Sequence, residues 1–493
     1  MSLTESFQKR LRNIPAAQTA IIDADQKAHI SYGELWEQAS RLSSNLRQIG
    51  LRQGDRVILA LQNSIPWVIG YLAIIEAGGI VVPVRLRTKS YEMKGILKTV
   101  KPSLMLSSAS YINRLLPSRI FSEDQEVVIT AGHLRKRHGS PRVTSLQALI
   151  FTNHKTLNGD QSTRSLKTDQ RTASINFTYR GLGKALGATL THSNYLTAIQ
   201  SYILTVGLRE GQRVLASLPF SHTYPLIGCL LAPLFAGGIV IITKPVSGKG
   251  LSQVIDQYRC EVLAGIPMIY QQLLHSSVTR EEMRSVKTAI CGASSLSLAT
   301  FQCFRERYQV DIRQGYGLTE CFAVTCNPVR IRHPQSVGQL MVGAKGLKIR
   351  IVDAQGNAVP IGQIGEIIVT GPTVMSGYYN ESDVTQEVLQ DDWLYTGDWG
   401  RVDQDGYVFL EGLKKRITKV AGNLVDLTEV ESEIRKISGV LDIEVSSIPD
   451  EWLGTMLRAR VGNQALLTEE KHRIRNRLKL RLASYKIPMI WTE

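Results

Sequence analysis

Hydrophobic and polar positions alternate between a helical and a strand-like period through most of the first four hundred residues. One unit shows the pattern clearly: an amphipathic helix is predicted from Ser31 to Ile49, and the strand Arg56–Ala60 follows it after a turn. A second apolar helix leads into the β-branched run Gly79–Pro83. Strands that alternate with helices are typical of parallel sheets with helices on both faces. The pattern therefore predicts an α/β fold.

The segment from Pro225 to Thr243 carries no charged residue and is long enough to cross a bilayer. Pro233 and the pair Gly237–Gly238 interrupt it, and the run Ile239–Thr243 after them is β-branched. These interruptions favour a short buried helix, a turn and a strand. No transmembrane segment is predicted.

The length of 493 residues exceeds the size at which one hydrophobic core keeps growing, so two or more domains are expected. The polar stretch Thr152–Thr172 lacks apolar periodicity and is predicted to be a surface loop or linker. Further on, the strand-like run Tyr407–Leu410 precedes a compact tail of strands and helices. We place a boundary at Gly412–Lys415, with an N-terminal domain over residues 1–411 and a small C-terminal domain over residues 412–493.

Composition narrows the class of protein. Hydrophobic residues make up 43% and charged residues 20%, which is typical of a folded globular protein. The net charge of +15 favours polyanionic partners such as nucleotides, nucleic acid, acidic carrier proteins or anionic membranes. The basic clusters His133–His138 and Lys471–Arg481 lack interleaved aromatic residues, so nucleic-acid binding is not predicted.

The spacing of the cysteines indicates the cellular compartment in which the protein is expected. Their spacing contains no CxxC pair and no metal-ligand pattern, and the N-terminus lacks the apolar stretch of a secretory signal. Buried, reduced thiols and a cytoplasmic location are therefore predicted. The six cysteines are Cys229, Cys260, Cys291, Cys303, Cys321 and Cys326.

Two short motifs carry residues suited to a nucleotide. In the segment Gly315–Glu320, the glycines let the backbone approach a ligand, Thr319 offers a hydroxyl to phosphate, and Glu320 offers a carboxylate to Mg²⁺. Farther along, Asp398 follows a glycine turn and is placed to accept hydrogen bonds from both ribose hydroxyls. Each motif alone is also compatible with an ordinary turn.

The order of several motifs carries more weight than any one of them. They are Ile30–Leu35, Leu218–His222, Ala264–Tyr270, Gly292–Ser295, Gly315–Glu320, Gly365–Gly371, Gly377–Tyr379, Trp393–Asp398, Asn423 with Glu429 and Glu431, and Gly439–Asp450. With this set, nearly the whole chain resembles the adenylate-forming family that includes acyl-CoA synthetases, luciferase and the adenylation domains of peptide synthetases.

The resemblance implies a large N-terminal domain of layered sheets and helices with a small β subdomain, and a small, mobile α+β C-terminal domain hinged at Lys415. It also implies a ligase that uses ATP and Mg²⁺ to convert a small-molecule carboxylic acid, expected to be a fatty acid, into an acyl-adenylate. The acyl group would then pass to coenzyme A or to the phosphopantetheine of an acyl carrier protein.

The same resemblance implies the residues of the site. His222 is expected beside the acyl pocket, with a hydrogen-bonded core histidine as the alternative. Gly422 is expected to border the channel for the thiol arm, with a simple tight turn as the alternative. The residues expected to hold the nucleotide, from adenine to phosphate and metal, are Gly292, Ala293, Ser294, Tyr316, Gly317, Asp398, Thr319 and Glu320.

The phosphate loop departs from the family pattern, which is rich in Ser, Thr and Gly and ends in Pro-Lys-Gly. Here the corresponding segment begins at Thr178, and Gly181 and Gly183 keep the freedom to form an anion-binding nest of amides. Leucine stands at the usual lysine position. Arg180 is predicted to grip phosphate in its place, with a solvent-facing arginine in an altered loop as the open alternative.

The C-terminal domain departs as well. Leu413 stands where the family has an arginine that contacts the nucleotide, and the chain reaches Glu493 before the family's adenylation lysine. The domain is therefore predicted to be truncated, which would weaken adenylate formation more than thiol transfer. Three hypotheses stay open: an acid–thiol ligase, a family member that binds nucleotide, acyl-adenylate or a carrier protein without turnover, and a nucleic-acid binder supported by charge alone.

Overall fold

The computed structural model describes residues 1–118, 120–121, 126–129, 142–151, 171–244, 246–413, 416–438, 442–450, 452–461 and 468–492. Strands and helices alternate through them, which confirms the predicted α/β class. The helices are α1 (Leu3–Leu11), α2 (Tyr32–Gln48), α3 (Ile65–Glu76), α4 (Ser90–Val100), α5 (Ala109–Leu115), α6 (Leu146–Phe151), α7 (His192–Val206), α8 (Thr223–Pro225), α9 (Ala232–Ala236), α10 (Gly248–Tyr258), α11 (Pro267–His275), α12 (Leu298–Tyr308), α13 (Ser382–Val388), α14 (Leu427–Ser438) and α15 (Thr468–Arg481).

The described strands fall into four sheets and a hairpin, three of the sheets in the N-terminal domain and the rest in the C-terminal domain. They are β1 (Thr19–Asp23), β2 (Ala28–Ser31), β3 (Arg56–Ala60), β4 (Ile80–Pro83), β5 (Leu104–Ser107), β6 (Glu126–Ile129), β7 (Arg142–Ser145), β8 (Thr172–Tyr179), β9 (Ala185–Thr191), β10 (Arg213–Ala216), β11 (Ile239–Ile242), β12 (Val262–Gly265), β13 (Thr288–Cys291), β14 (Ile312–Leu318), β15 (Phe322–Cys326), β16 (Gln339–Leu340), β17 (Lys348–Val352), β18 (Gly365–Thr370), β19 (Gly377–Tyr378), β20 (Leu389–Gln390), β21 (Trp393–Val402), β22 (Val408–Leu413), β23 (Ile417–Val420), β24 (Asn423–Asp426), β25 (Ile443–Asp450), β26 (Gly454–Val461) and β27 (Ile490–Thr492).

Two large sheets form the N-terminal domain. Among the described residues, the first sheet has the order β16-β15-β14-β13-β12-β10-β11-β1-β2, and its strands from β14 to β1 are parallel. The second has the order β19-β9-β8-β4-β3-β5-β6-β7, with parallel pairing from β8 to β7. Because parallel strands end at the same edge, the carboxyl ends of the first sheet gather several loops in one place.

Alternate side chains of each parallel strand enter different layers. Val214 of the first sheet faces a central layer that contains α2, α3, α7 and α9, whereas its neighbour Leu215 faces α10, α11 and α12. In the second sheet, Val57 faces the same central layer and Ile58 faces α4 and α5. Both faces of both sheets are therefore covered, which explains why these strands are apolar throughout.

The unit predicted from Ser31 to Pro83 is confirmed. The Ser31 hydroxyl accepts a hydrogen bond from the Glu34 amide, and the Glu34 carboxylate accepts one from the Ser31 amide at 2.9 Å, so a capping box starts α2. Strands β3 and β4 then pair in parallel on either side of α3 in the sequence. Local pattern and capping chemistry were sufficient to predict this unit.

The uncharged segment Pro225–Thr243 folds as predicted. It forms a π-helical turn over Leu226–Leu231, then α9, a left-handed Gly237 with a φ of 83°, and strand β11. Its apolar side chains belong to the core cluster between the sheets. In the described part of the chain, no helix is long and apolar enough to cross a membrane.

A third sheet and the C-terminal domain complete the fold. The third sheet runs β17-β18-β21-β20 with β22 beside β21, and it corresponds to the predicted small β subdomain. In the C-terminal domain, the β23–β24 hairpin and the sheet β25-β26-β27 pack with α14 and α15 around their own apolar cluster. The boundary at Gly412–Lys415 stays a prediction, since Lys414 and Lys415 lie outside the described residues.

Other sequence predictions meet the structure only in part. Residues 152–170 of the predicted linker and the cluster His133–His138 lie outside the described residues, while Thr172 opens β8. The basic cluster Lys471–Arg481 forms most of α15. All six cysteines are free thiols, and five are buried, with Cys303 exposed on α12.

Candidate active site

A cavity of about 790 Å³ lies where the carboxyl ends of the first sheet meet the C-terminal domain. The segments that follow β10, β11, β12 and β13 line one side of it, and the β23–β24 hairpin lines the opposite side. Ligands of open α/β sheets bind at such carboxyl edges. The fold therefore places a candidate active site between the two domains.

The structure brings most of the predicted site residues to this cavity and leaves others away from it. The phosphate-loop residues Arg180, Gly181 and Gly183 do not line it, nor does Ser294. Lys415, the predicted hinge, lies outside the described residues. The predicted residues that line the cavity are Thr178, His222, Gly292, Ala293, Tyr316, Gly317, Thr319, Glu320, Asp398 and Gly422.

Asp398 and Tyr316 meet at one end of the cavity, which we call the nucleoside end. The Tyr316 hydroxyl donates a hydrogen bond of 2.6 Å to Asp398 Oδ2. Burial, and then the Asp398 carboxylate, raise the pKa of Tyr316 well above its ordinary value, so the phenol remains a donor. The Thr396 hydroxyl accepts from the Asp398 amide at 3.1 Å, and the Asp398 carboxylate is thereby held in place with Oδ1 left to accept from a ligand.

Gly292 and Ala293 form a tight turn at the same end, directly after β13. A Cβ atom on Gly292 would lie 3.1 Å from the ring of Tyr224, so only glycine lets this ring lie against the backbone. Ala293 has a φ of 67°, in the left-handed region that side chains other than glycine rarely adopt. The Tyr224 hydroxyl donates to the carbonyl of Ile290 at 3.1 Å, which orients the ring. The turn thus packs against the Tyr224 ring, and Gly292 and Ala293 line the cavity there.

Glu320 is held by two donors behind the cavity wall. Arg180 Nη1 lies 3.3 Å from Glu320 Oε1, and the Tyr378 hydroxyl donates to the same oxygen at 2.6 Å. Arg180 also donates to the carbonyl of Tyr395 at 2.6 Å. The side chains of Arg180 and Glu320 are 7% and 3% exposed, so the pair is buried. The contact of Arg180 with phosphate stays a prediction; in the structure the guanidinium contacts Glu320 and does not line the cavity.

The residues around Glu320 fit Mg²⁺ poorly. A magnesium ion needs a carboxylate whose charge is free to attract it, and one oxygen of Glu320 already bonds a guanidinium and a phenol. We therefore assign no step to a metal at this carboxylate.

His222 lines the other end of the cavity, which we call the acyl end. It precedes α8, and its carbonyl accepts from the Leu226 amide at 3.0 Å. Burial, helped by the positive charge of Arg85, lowers the pKa of His222 to about 3. The imidazole is therefore neutral at physiological pH and a weak base. Its predicted catalytic role stays a prediction, and the geometry favours a neutral polar contact.

Lys419 is a site residue that the sequence reasoning missed. It lies on β23 between the buried Thr418 and Val420, and its half-buried side chain enters the cavity. Burial lowers the pKa of Lys419, while the Asp398 and Glu320 carboxylates oppose that shift. A single lysine on a strand whose other side chains are buried was the available signal. The C-terminal domain thus contributes a cation to a cavity that it shares with the N-terminal domain.

The predicted phosphate loop contacts the C-terminal domain. The Gly183 amide donates to Asp426 Oδ2 at 2.9 Å, and a Cβ atom on Gly181 would lie 3.2 Å from the amide nitrogen of Arg416. Tyr179 lies in the same loop and directs its hydroxyl at Lys486 over 2.8 Å. An amide predicted to cradle phosphate is thus bonded to a carboxylate of the other domain.

Lys486 joins the two domains at the same place. Its side chain is 0% exposed, and its ammonium contacts Glu92 at 2.5 Å, Glu429 at 2.8 Å and the Tyr179 hydroxyl at 2.8 Å. Burial alone would lower the pKa of Lys486, but these partners hold it well above its ordinary value. Burial raises the pKa of Glu429 to about 7, although Lys486 opposes the shift. We call these four side chains the Lys486 cluster.

A nucleotide-sized cavity at the carboxyl edge of a layered α/β domain, closed by a hairpin of a small C-terminal domain, defines an acyl-adenylate-forming ligase. The family model described as "AMP-binding enzyme" matches residues 7–379. The chain belongs to this family, and it is an acyl-CoA synthetase-like ligase.

Individual proteins resemble the chain over nearly its whole length. A putative acyl–CoA ligase, YdaB, of Bacillus subtilis (strain 168) is 28% identical over 94% of this chain and 90% of its own length. A long-chain-fatty-acid–CoA ligase of Yersinia pestis is 28% identical over 95% of this chain and 88% of its own length. A double mutant of o-succinylbenzoate CoA synthetase (MenE) from Bacillus subtilis, solved with a product analogue, has a TM-score of 0.83 at 21% identity, over 99% of this chain and 94% of that one. The last similarity concerns the fold.

Proposed function

We propose that the protein uses ATP to activate a fatty acid as an acyl-adenylate and transfers the acyl group to the thiol of coenzyme A. The observation that carries the proposal is one continuous cavity with groups suited to each part of the adenylate. Asp398 suits the ribose, Lys419 suits the phosphate, and the cavity lining includes apolar side chains such as Leu218, Phe322 and Met341, which suit an acyl chain. The relatives named as acyl–CoA and long-chain-fatty-acid–CoA ligases support the choice of acid and acceptor.

In the first half-reaction, a carboxylate oxygen of the acid attacks the α-phosphorus of ATP. The bond from that phosphorus to the bridging oxygen breaks, and pyrophosphate leaves with the electron pair. Asp398 orients the ribose through charge-assisted hydrogen bonds, and the turn at Gly292 and Ala293 lines the part of the cavity where the base is expected. The Thr319 hydroxyl faces the cavity beside Glu320 and is suited to donate to a phosphate oxygen.

In the second half-reaction, the thiol sulfur attacks the acyl carbon, the thiol proton is lost, and AMP leaves with the carbon–oxygen electron pair. Negative charge then collects on the phosphate of the departing AMP. Lys419 brings a positive charge to this end of the cavity, where the surroundings exclude water and strengthen its attraction for the phosphate. His222 at its lowered pKa is a poor base, so the thiol proton is expected to pass to solvent and not to this imidazole.

The test is pyrophosphate release with a panel of fatty and aryl acids, followed by detection of the acyl thioester by mass spectrometry. We expect signal with fatty acids and ATP, and a thioester of coenzyme A as the product. A second arm replaces coenzyme A with a carrier protein that bears phosphopantetheine, because that acceptor was also predicted. A cytoplasmic location stays a prediction from the reduced thiols.

The alternative of a member that binds without turnover gives a different result. It predicts calorimetric binding of a non-hydrolysable acyl-adenylate mimic, with no pyrophosphate and no thioester from any acid. Folded protein that shows this pattern would replace the ligase with a binding protein. Folded protein that binds neither the mimic nor ATP would reject both.

A further inference from the structure

Arg180 and Glu320 come from different parts of the chain and meet where a nucleotide phosphate would be handled. Glu320 lines the cavity, whereas Arg180 approaches its carboxylate from behind and does not line the cavity. Tyr378 and the carbonyl of Tyr395 fix the guanidinium in this position. The Arg180 side chain is therefore fixed behind the residues that line the cavity, and it is not free to turn toward a ligand.

The Arg180 guanidinium lies beside the Glu320 carboxylate as its counter-cation. Arg180 cannot lose its proton in a protein, so it neutralises the carboxylate at every pH at which the fold exists. A divalent cation on the remaining carboxylate oxygen would lie beside a fixed positive charge in a water-poor site, where repulsion between like charges is strong. The Tyr378 hydroxyl donates to the same carboxylate oxygen as Arg180, so that oxygen already has two donors inside the protein.

We propose that the Arg180 guanidinium takes the place of a divalent cation at Glu320, so that the phosphate end of the cavity works without Mg²⁺ bound to that carboxylate. The inference rests on the proposed function only in that it concerns the same nucleotide site. With Glu320 neutralised, the positive charge at the cavity comes from Lys419 of the C-terminal domain and from Arg85, Arg87 and Lys244 of the N-terminal domain, all of which line it. Arg180 is thus a positioning residue, since it acts on the ligand through Glu320.

The experiment titrates the full-length protein with Mn²⁺ alone and follows free Mn²⁺ by electron paramagnetic resonance. The wild type and the Glu320→Gln variant are expected to bind the same amount of Mn²⁺, because Glu320 holds none in the wild type. Arg180→Met removes the charge at nearly constant length and leaves a free carboxylate, so it should gain a saturable site, with affinity raised by at least about tenfold. Arg180→Lys restores a cation and should behave as the wild type.

Arg401→Met is the matched control, because Arg401 pairs with Glu411 at 3.0 Å on the surface of β21, away from the cavity. It should leave Mn²⁺ binding unchanged. A second readout is the affinity for AMP, which should be equal in EDTA and in millimolar Mg²⁺ for the wild type. It should become dependent on Mg²⁺ in Arg180→Met.

One saturable Mn²⁺ ion on the wild type that Glu320→Gln abolishes would overturn the proposal, and so would an Arg180→Met variant that folds and gains no site. Should Arg180→Met fail to fold, the wild type against Glu320→Gln still decides. Failure of all variants to bind AMP, ATP or the acyl-adenylate mimic would refute the proposed function, while the Mn²⁺ titration would continue to test Arg180.

Discussion

The nucleoside end of the cavity and the phosphate loop are built from the same kinds of groups but use them differently. At the nucleoside end, Asp398 is held by Tyr316 through one carboxylate oxygen and keeps the other for a ligand. In the loop, the Gly183 amide is bonded to Asp426, and Arg180 is bonded to Glu320. The nucleoside end has a hydrogen-bonding group open to a small molecule, whereas the groups of the phosphate loop are bonded to other parts of the protein.

The difference separates ligand binding from domain contact. Where groups are left open, a substitution should change affinity with little effect on stability. Where groups are satisfied inside the protein, the same kind of substitution leaves a buried partner unpaired and should change stability first. The experiments below test this separation, and they are ordered by the size of the expected effect.

The largest effect is expected from Lys486→Met in the Lys486 cluster. The substitution leaves Glu92 and Glu429 buried without a cation, which typically costs about 3–5 kcal/mol. Urea unfolding should show the loss, with the affinity for AMP unchanged in the folded fraction. Lys479→Met, on the exposed side of α15, should be close to wild type. A loss of AMP binding without a loss of stability would contradict the separation between ligand-binding groups and domain-contact groups.

Lys419→Ala should slow acyl transfer from a preformed acyl-adenylate by roughly 10²–10³, the usual loss when a charge-stabilising group is removed. Burial lowers the pKa of Lys419, so its positive charge is lost at a lower pH than that of an ordinary lysine. The wild-type transfer rate should therefore fall as the pH rises into the alkaline range. Lys419→Arg should keep its rate there, and stopped-flow transfer over a pH series measures both. Identical alkaline profiles for wild type and Lys419→Arg would contradict the assignment.

Glu429→Gln should change how stability depends on pH. The pKa of Glu429 is about 7 in the folded protein against an ordinary 4.5, so the folded state holds a proton in this window that the unfolded chain has lost. Stability from this group is full below about pH 4.5 and falls as the pH rises through 7. The variant should lose that slope, on the order of 2 kcal/mol between these limits. Glu444→Gln, in the exposed pair with Arg460, is the control.

Asp398→Asn should cause the smallest change in free energy of the four substitutions, and that change should appear in the affinity for AMP. The amide still accepts from Tyr316, so the fold should hold, while the charged acceptor for ribose is lost. Calorimetry should show AMP binding weakened by roughly tenfold. Asp392→Asn, at the exposed start of the same strand, should bind as the wild type. An unchanged affinity would mean that the nucleoside lies elsewhere.

The sequence predicted those features that depend on neighbouring residues. The start of a helix at Ser31 and the interruption of the apolar run at Gly237 are local features, and both predictions were correct. The direction of Arg180 was not predictable, because its partner lies 140 residues away and the loop alone allows a ligand, solvent or a buried carboxylate. Lys419 was missed for the same reason, since only the packing of two domains turns a strand lysine toward Asp398.

The complete burial of Lys486 also bears on the speed of any rearrangement between the domains. An ammonium group that has exchanged its hydration shell for three protein oxygens must recover water before those contacts can separate. Hydration of one side chain, and not the length of the connecting segment, is then expected to set the pace at which the small domain leaves. We expect the rate at which the two domains separate at the Lys486 cluster to depend on the solvent.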